Sequence, residues 1–166
     1  MHVRFVLPVL ILCALPFLAA AGERAPADST LAPRFHLPSR EGTVDLDSLR
    51  GKTVYVDFWA SWCGPCRASF PFLATLHARY ASKGLAVVAI NVDKDRGAAE
   101  TFLRKYPAPF TIGFDPAGST PEAYDVSVMP SSFLVSPEGI LLHSHQGFAA
   151  KDTAALEARI REALPR

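Results

Sequence analysis

Cysteine is scarce, with three in 166 residues, too few to staple a disulfide-built scaffold. Net charge is almost missing as well: 17 basic and 16 acidic side chains leave +1, and such a balance gives no electrostatic footprint for nucleic acid. The sequence holds no internal repeat and no low-complexity tract, and its composition is neither disordered-like nor collagen-like. What is present is an apolar fraction of 49%, with 10% aromatic residues. At this length that suits one globular domain with an ordinary buried core.

The first residues read as an address. Residues 1–4 are short and basic, residues 5–18 are almost wholly apolar, and Ala19, Ala20 and Ala21 supply the small side chains of a cleavage site. This is the three-part pattern of a secretory signal. The competing reading is an uncleaved anchor, but the apolar run 5–21 contains Pro8 and Pro16 and falls short of the roughly 20 residues of a spanning helix. A lipid attachment at Cys13 is disfavoured by the large Leu12 before it. The expected organisation is therefore a signal peptide over 1–21, a polar tether over 22–33 and one domain over 34–166. Cleavage removes Cys13 and leaves Cys63 and Cys66 in the mature chain. The implied compartment is oxidising, most simply a bacterial periplasm.

Hydrophobic patterning then orders the domain. Apolar positions between Phe35 and Leu49, set among turn residues, predict a short hairpin or edge strand. Residues 53–60 (TVYVDFWA) and 85–92 (LAVVAINV) are nearly continuous apolar runs that suit strands buried on both faces. Helical spacing over 63–81 (Phe70, Leu73, Leu76, Tyr80) ends at Gly84. A second helix is expected over 95–106, with Ala98, Phe102 and Leu103 on one side, and Pro107 and Pro109 stop it. A short strand over 110–114 and a helical turn over 120–124 follow. Residues 132–135 and 140–143 flank Pro137-Glu138-Gly139, a hairpin signal. An amphipathic helix over 153–164 closes the chain. The alternation of strand and helix implies an α/β fold with a parallel core and crossover helices.

Cys63 and Cys66 sit where the first buried strand becomes the first long helix. Free backbone N–H groups and the positive end of the helix dipole favour a thiolate there. Such settings lower a cysteine pKa from about 8.5 to roughly 3.5–7.5. Cys66 lies one turn on, placed to attack a mixed disulfide formed at Cys63. Pro65 suits an early helical position, where its missing N–H would be unpaired anyway. A zinc site would need further ligands. The only close histidine pair, His143 and His145, reads as a solvated strand edge. A purely structural disulfide would close too small a loop to remove much chain entropy.

Asp57 is the sole charge in its strand, six positions before Cys63. Burial disfavours the charged form and raises a carboxyl pKa by up to roughly 3–5 units. That would make it a proton acceptor for the Cys66 thiol. The bland alternative is an aspartate paired with a lysine or the backbone. Pro71 would kink the helix. Pro130, at the start of a strand, is acceptable there.

VYVDFWASWCGPCR (54–67), with Pro71 following, resembles the active-site strand and helix start of thioredoxins. The flanking runs over 32–52 and 114–142 resemble the secreted TlpA-like branch, and the resemblance extends over about 32–164. It implies a thioredoxin fold with an N-terminal strand extension and a helix and strand inserted before the cis-proline strand. It implies that Cys63 is the attacking nucleophile, Cys66 the resolving cysteine and Asp57 the buried acid. Pro130 matches the cis-proline facing the disulfide. Met129 would lend backbone hydrogen bonds to a substrate strand, and Trp62, Gly64 and Pro65 would form the contact surface around the cysteines. Many TlpA-like proteins carry a different residue where this chain has Asp57. Peroxiredoxins resemble the branch but place a threonine three positions before the cysteine, where this chain has Ala60, so peroxidase activity is not expected. The implied activity is thiol–disulfide exchange without cofactor or metal, in the reducing direction. Its partners would be exported client proteins with disulfides and a membrane-bound thiol reductant, with cytochrome c maturation or copper-site assembly as settings. A disulfide donor or isomerase, and a metallochaperone using the two cysteines as ligands, remain alternatives.

Overall fold

The structure, a computed structural model, describes residues 30–165. The signal segment and most of the expected tether therefore lie outside the described residues. Seven strands form one mixed sheet in the order β2-β1-β5-β4-β3-β6-β7. In chain order they are β1 (His36–Ser39), β2 (Gly42–Asp45), β3 (Thr53–Trp59), β4 (Leu85–Asn91), β5 (Thr111–Phe114), β6 (Ser131–Val135) and β7 (Leu141–Gln146). Four helices accompany them: α1 (Cys66–Tyr80), α2 (Arg96–Lys105), α3 (Ser119–Ala123) and α4 (Thr153–Ala163).

The two apolar runs become the centre of the sheet. β3 pairs in parallel with β4 over its whole length and antiparallel with β6 on its other side, and every residue of β3 is buried. The steps β3-α1-β4 and β4-α2-β5 move the same way across the sheet. Right-handed crossovers therefore put α1 and α2 on the same face. One apolar cluster accordingly joins Phe70, Leu73 and Leu76 of α1 to Ala99, Phe102 and Leu103 of α2 and Ile160 of α4. The opposite face gathers Phe35, Leu37, Val44 and Leu46 of the N-terminal hairpin around Val56, Phe58, Tyr124 and Phe133. Strand alternation divides β3 between the two: Val54, Val56 and Phe58 face the hairpin side, while Tyr55 and Trp59 face the helices.

Local chemistry explains the ends of these elements. Gly84 follows the short helical turn after α1 with φ 89°, a left-handed conformation that favours glycine. Asp95 caps α2 by accepting from the Gly97 N–H at 2.8 Å. Asp115 holds α3, accepting from the N–H groups of Gly118 and Thr120 at 3.0 and 2.6 Å.

Four expectations need correction. The helix expected from residue 63 begins only at Cys66, because the Cys63 N–H turns back to the Ala60 carbonyl at 3.1 Å and closes a tight turn instead. In α2 the buried alanine is Ala99, not Ala98, a one-position shift of the inward stripe. The end of the stretch expected as tether is docked: Leu31 bridges Ile140, and Ala32 is buried with its N–H bound to the Gly139 carbonyl at 2.9 Å. Finally, His143 and His145 are half-buried rather than solvated. They lie on the inner face of the edge strand β7, and His145 Nε2 stands 3.6 Å from an Asp152 carboxylate oxygen.

Candidate active site

The site lies where the parallel strands β3, β4 and β5 end, the usual ligand edge of an α/β sheet. β3 exits into Ala60-Ser61-Trp62-Cys63, and α1 starts three residues later. Cys63 and Cys66 form a disulfide, with S–S 2.02 Å and Cα–Cα 5.4 Å. Cys63 is 4% exposed and Cys66 fully covered, so an incoming reactant meets Cys63 first. The Cys66 N–H, the first of α1, donates to Cys63 Sγ at 3.2 Å. This donor has no partner within the helix, and it points at the sulfur that would carry charge after reduction. Trp62 is 67% exposed although it is large and apolar, and Gly64 and Pro65 are exposed beside it.

The second wall comes from the start of β6. The register pairs Phe58 with Ser131, so Pro130 lies alongside the exit of β3. The Met129–Pro130 peptide is cis. Pro130 is buried, and its carbonyl accepts from the Gly147 N–H at 2.7 Å. Met129 packs against the apolar cluster that contains both cysteines, and Val128 is 46% exposed next to it. Trp62 and Val128 are thus apolar surface on the two segments that border the disulfide.

Asp57 is 3% exposed. Its position in β3 turns it to the same face as Tyr55 and Trp59, the face where Cys66 is buried. Its register neighbours are Ala89 and Ser132, neither of them a cation. Ser132 Oγ is occupied by the Tyr55 hydroxyl at 2.8 Å. One Asp57 carboxylate oxygen is buried with no hydrogen-bond partner. Burial alone pushes its carboxyl well above the ordinary range. The lysine or backbone pairing weighed in the sequence does not occur at that oxygen.

One part of the site was missed in the sequence. Asp93, just beyond β4, accepts from the Ser61 N–H at 2.8 Å and the Ser61 hydroxyl at 3.1 Å. Asn91 and Asp93 clasp each other, Nδ2 to carboxylate at 2.8 Å and N–H to amide oxygen at 3.1 Å. The available signal was the appearance of two polar residues, Asn91 and Asp93, at the end of a wholly apolar strand.

A thioredoxin-like sheet carrying a CxxC disulfide at the start of its first long helix defines the class of thiol–disulfide oxidoreductases. Within that class the chain belongs to the Redoxin family, whose profile matches residues 20–160. It is 33% identical over 144 residues to thiol-disulfide oxidoreductase ResA of Bacillus subtilis, covering 84% of this chain and 80% of that protein. Among solved structures it is similar to a Chlorobium tepidum protein described as a thiol:disulfide interchange protein DsbE. The two share 49% identity with a TM-score of 0.81 over 82% of this chain and 97% of that one. It is also similar to a secreted disulfide oxidoreductase of Mycobacterium tuberculosis homologous to DsbE of E. coli, at 26% identity and TM-score 0.65 over 77% and 95%.

Proposed function

We propose that this thiol–disulfide oxidoreductase acts in the periplasm as a reductant of disulfides in exported client proteins. The observation that carries the reading is the asymmetric pair: Cys63 outermost with a helix N–H on its sulfur, Cys66 sealed behind it on the same side as an unpaired buried acid. In the reduced chain the Cys63 thiolate attacks a client disulfide. A mixed disulfide forms and one client sulfur leaves as thiolate. Cys66 then passes its proton to Asp57 and attacks Cys63 Sγ. The Cys63–Cys66 bond forms and the second client sulfur is released. The client gains two electrons, and the chain must be returned to its dithiol by a membrane-bound thiol reductant. Trp62, Gly64, Pro65, Met129 and Pro130 hold the client: the exposed indole gives apolar contact, and the backbone at Met129 pairs with an extended client segment. Cytochrome c maturation and copper-site assembly are the settings this activity would serve. The location is supported by the signal-like sequence of residues 1–21 and by the secreted relative. Among the described residues no helix is long and apolar enough to cross a membrane.

Trapping tests the assignment of roles. Cys66→Ala should accumulate mixed disulfides with clients, identifiable by mass spectrometry, whereas Cys63→Ala should accumulate none. Equal trapping by both variants overturns the roles. Titrating the reduced chain and Cys66→Ser with copper separates redox work from metal delivery, since a metallochaperone would bind copper tightly and lose it in the variant.

A further inference from the structure

We propose that Asp93 is a positioning residue of the redox reaction, fixing the turn that delivers Cys63 and Trp62. The inference rests on the dithiol reading of Cys63 above. The turn runs from Ala60 to Cys63 and is closed by a single backbone bond, Cys63 N–H to Ala60 carbonyl, at 3.1 Å. Its first corner, Ser61, is held by Asp93 through both the backbone N–H and the hydroxyl. Its second corner is Trp62, which points outward. Without Asp93 one backbone bond would remain to define the turn, and a lone hydrogen bond that water can replace adds little net free energy.

The carboxylate is itself immobilised. One oxygen accepts from both the Ser61 N–H and Asn91 Nδ2, the other from the Ser61 hydroxyl, and the Asp93 N–H is anchored on the Asn91 side chain. Asn91 is 1% exposed and belongs to β4, which is locked to β3 along its length. A rigid strand end thus reaches across to a loop and sets its geometry. The consequence at Cys63 follows from distance. The Cys66 N–H helps a thiolate only while Sγ stays within hydrogen-bond reach, now 3.2 Å, and a loosened turn gives up that alignment.

The sign of the effect separates positioning from charge. Removing the negative charge of Asp93 would make the Cys63 thiolate easier to form. Removing its hold on the turn makes the thiolate harder to form. On the elements flanking Cys63, the charged or titratable groups nearest in the chain are Asp57 of β3 and Cys66 and Arg67 of α1. Arg67 lines a groove beside the turn with Ser61, Asp95 and Lys105. The β6 side contributes Val128, Met129 and Pro130, all uncharged.

The test uses the reduced full chain and reads the pH dependence of Cys63 alkylation by iodoacetamide, with KM and kcat for insulin disulfide reduction when dithiothreitol regenerates the dithiol. Asp93→Ala should shift the alkylation midpoint to higher pH and raise KM for insulin severalfold. Asp93→Asn, which lacks the charge but can still engage both Ser61 groups, should restore most of both. Ser61→Ala should move the midpoint in the same direction by less. A folded Asp93→Ala protein with an unchanged or lowered midpoint overturns the proposal. If that variant does not fold, a wild-type midpoint in Ser61→Ala does so instead. A wild-type chain that fails to reduce insulin counts against the reductase reading, while the alkylation midpoints still decide the role of Asp93.

Discussion

Asp57 is an acid held away from water with no cation beside it in the sheet register. Its carboxyl is raised, so the folded chain binds a proton that the unfolded chain has already released. Between the ordinary aspartate value of about 3.9 and the raised folded value, stability falls as pH rises. Above the folded value the full cost of a buried charge is present. Asp57→Asn should therefore stabilise the protein at pH 8 by on the order of 1–3 kcal/mol and flatten the decline between pH 5 and 8, read by urea unfolding. The same change should slow client reduction near neutral pH, because in the proposed mechanism Cys66 gives its proton to Asp57. A variant that gains stability but keeps its rate would remove the catalytic role and leave burial intact. This residue was legible in the sequence as one charge in an apolar strand. Its lack of a partner was not, since that depends on Ala89 and Ser132 arriving from β4 and β6.

Two helices show how an element's end and its face make different contributions. Ile160 of α4 is fully buried in the cluster that carries the cysteines, although that helix is the last in the chain. Ile160→Ala should cost about 2–5 kcal/mol in urea unfolding while leaving the Cys63 alkylation midpoint unchanged. Asp115 acts at an end instead. Burial opposes its charge, but the N–H groups at the start of α3 outweigh that and hold its carboxyl below the usual range. Its contribution is present above the unfolded pKa and is lost as pH falls through the folded one. Asp115→Ala should accordingly cost about 1–2 kcal/mol at pH 7 and progressively less in acid. The amphipathic spacing of α4 was plain in the sequence. The start of α1 was misjudged by three residues, because spacing marks a helical face and not the turn that precedes it.

The whole molecule closes its sheet with pieces from both ends of the described chain. The segment before β1 lies along the β6–β7 hairpin, with Ala32 buried, and the Leu141 N–H donates to the Thr30 carbonyl at 2.9 Å. Relative to a chain beginning at residue 30, one beginning at residue 34 should lose about 1–3 kcal/mol, since it gives up two backbone bonds and the cover over the hairpin. Comparing urea midpoints of the two truncations checks this. The order of strands and helices, the buried centre of the sheet and the redox pair were all determined by the sequence alone, because hydrophobic period and a short cysteine spacing are local properties written into neighbouring residues. Only the tertiary structure decided that one Asp57 carboxylate oxygen is buried without a partner, that Asp93 grips Ser61 and that the histidines of β7 turn inward. Each of those depends on residues brought together from 9 to 75 positions apart in the chain, and no local pattern records which partner a long-range register will supply.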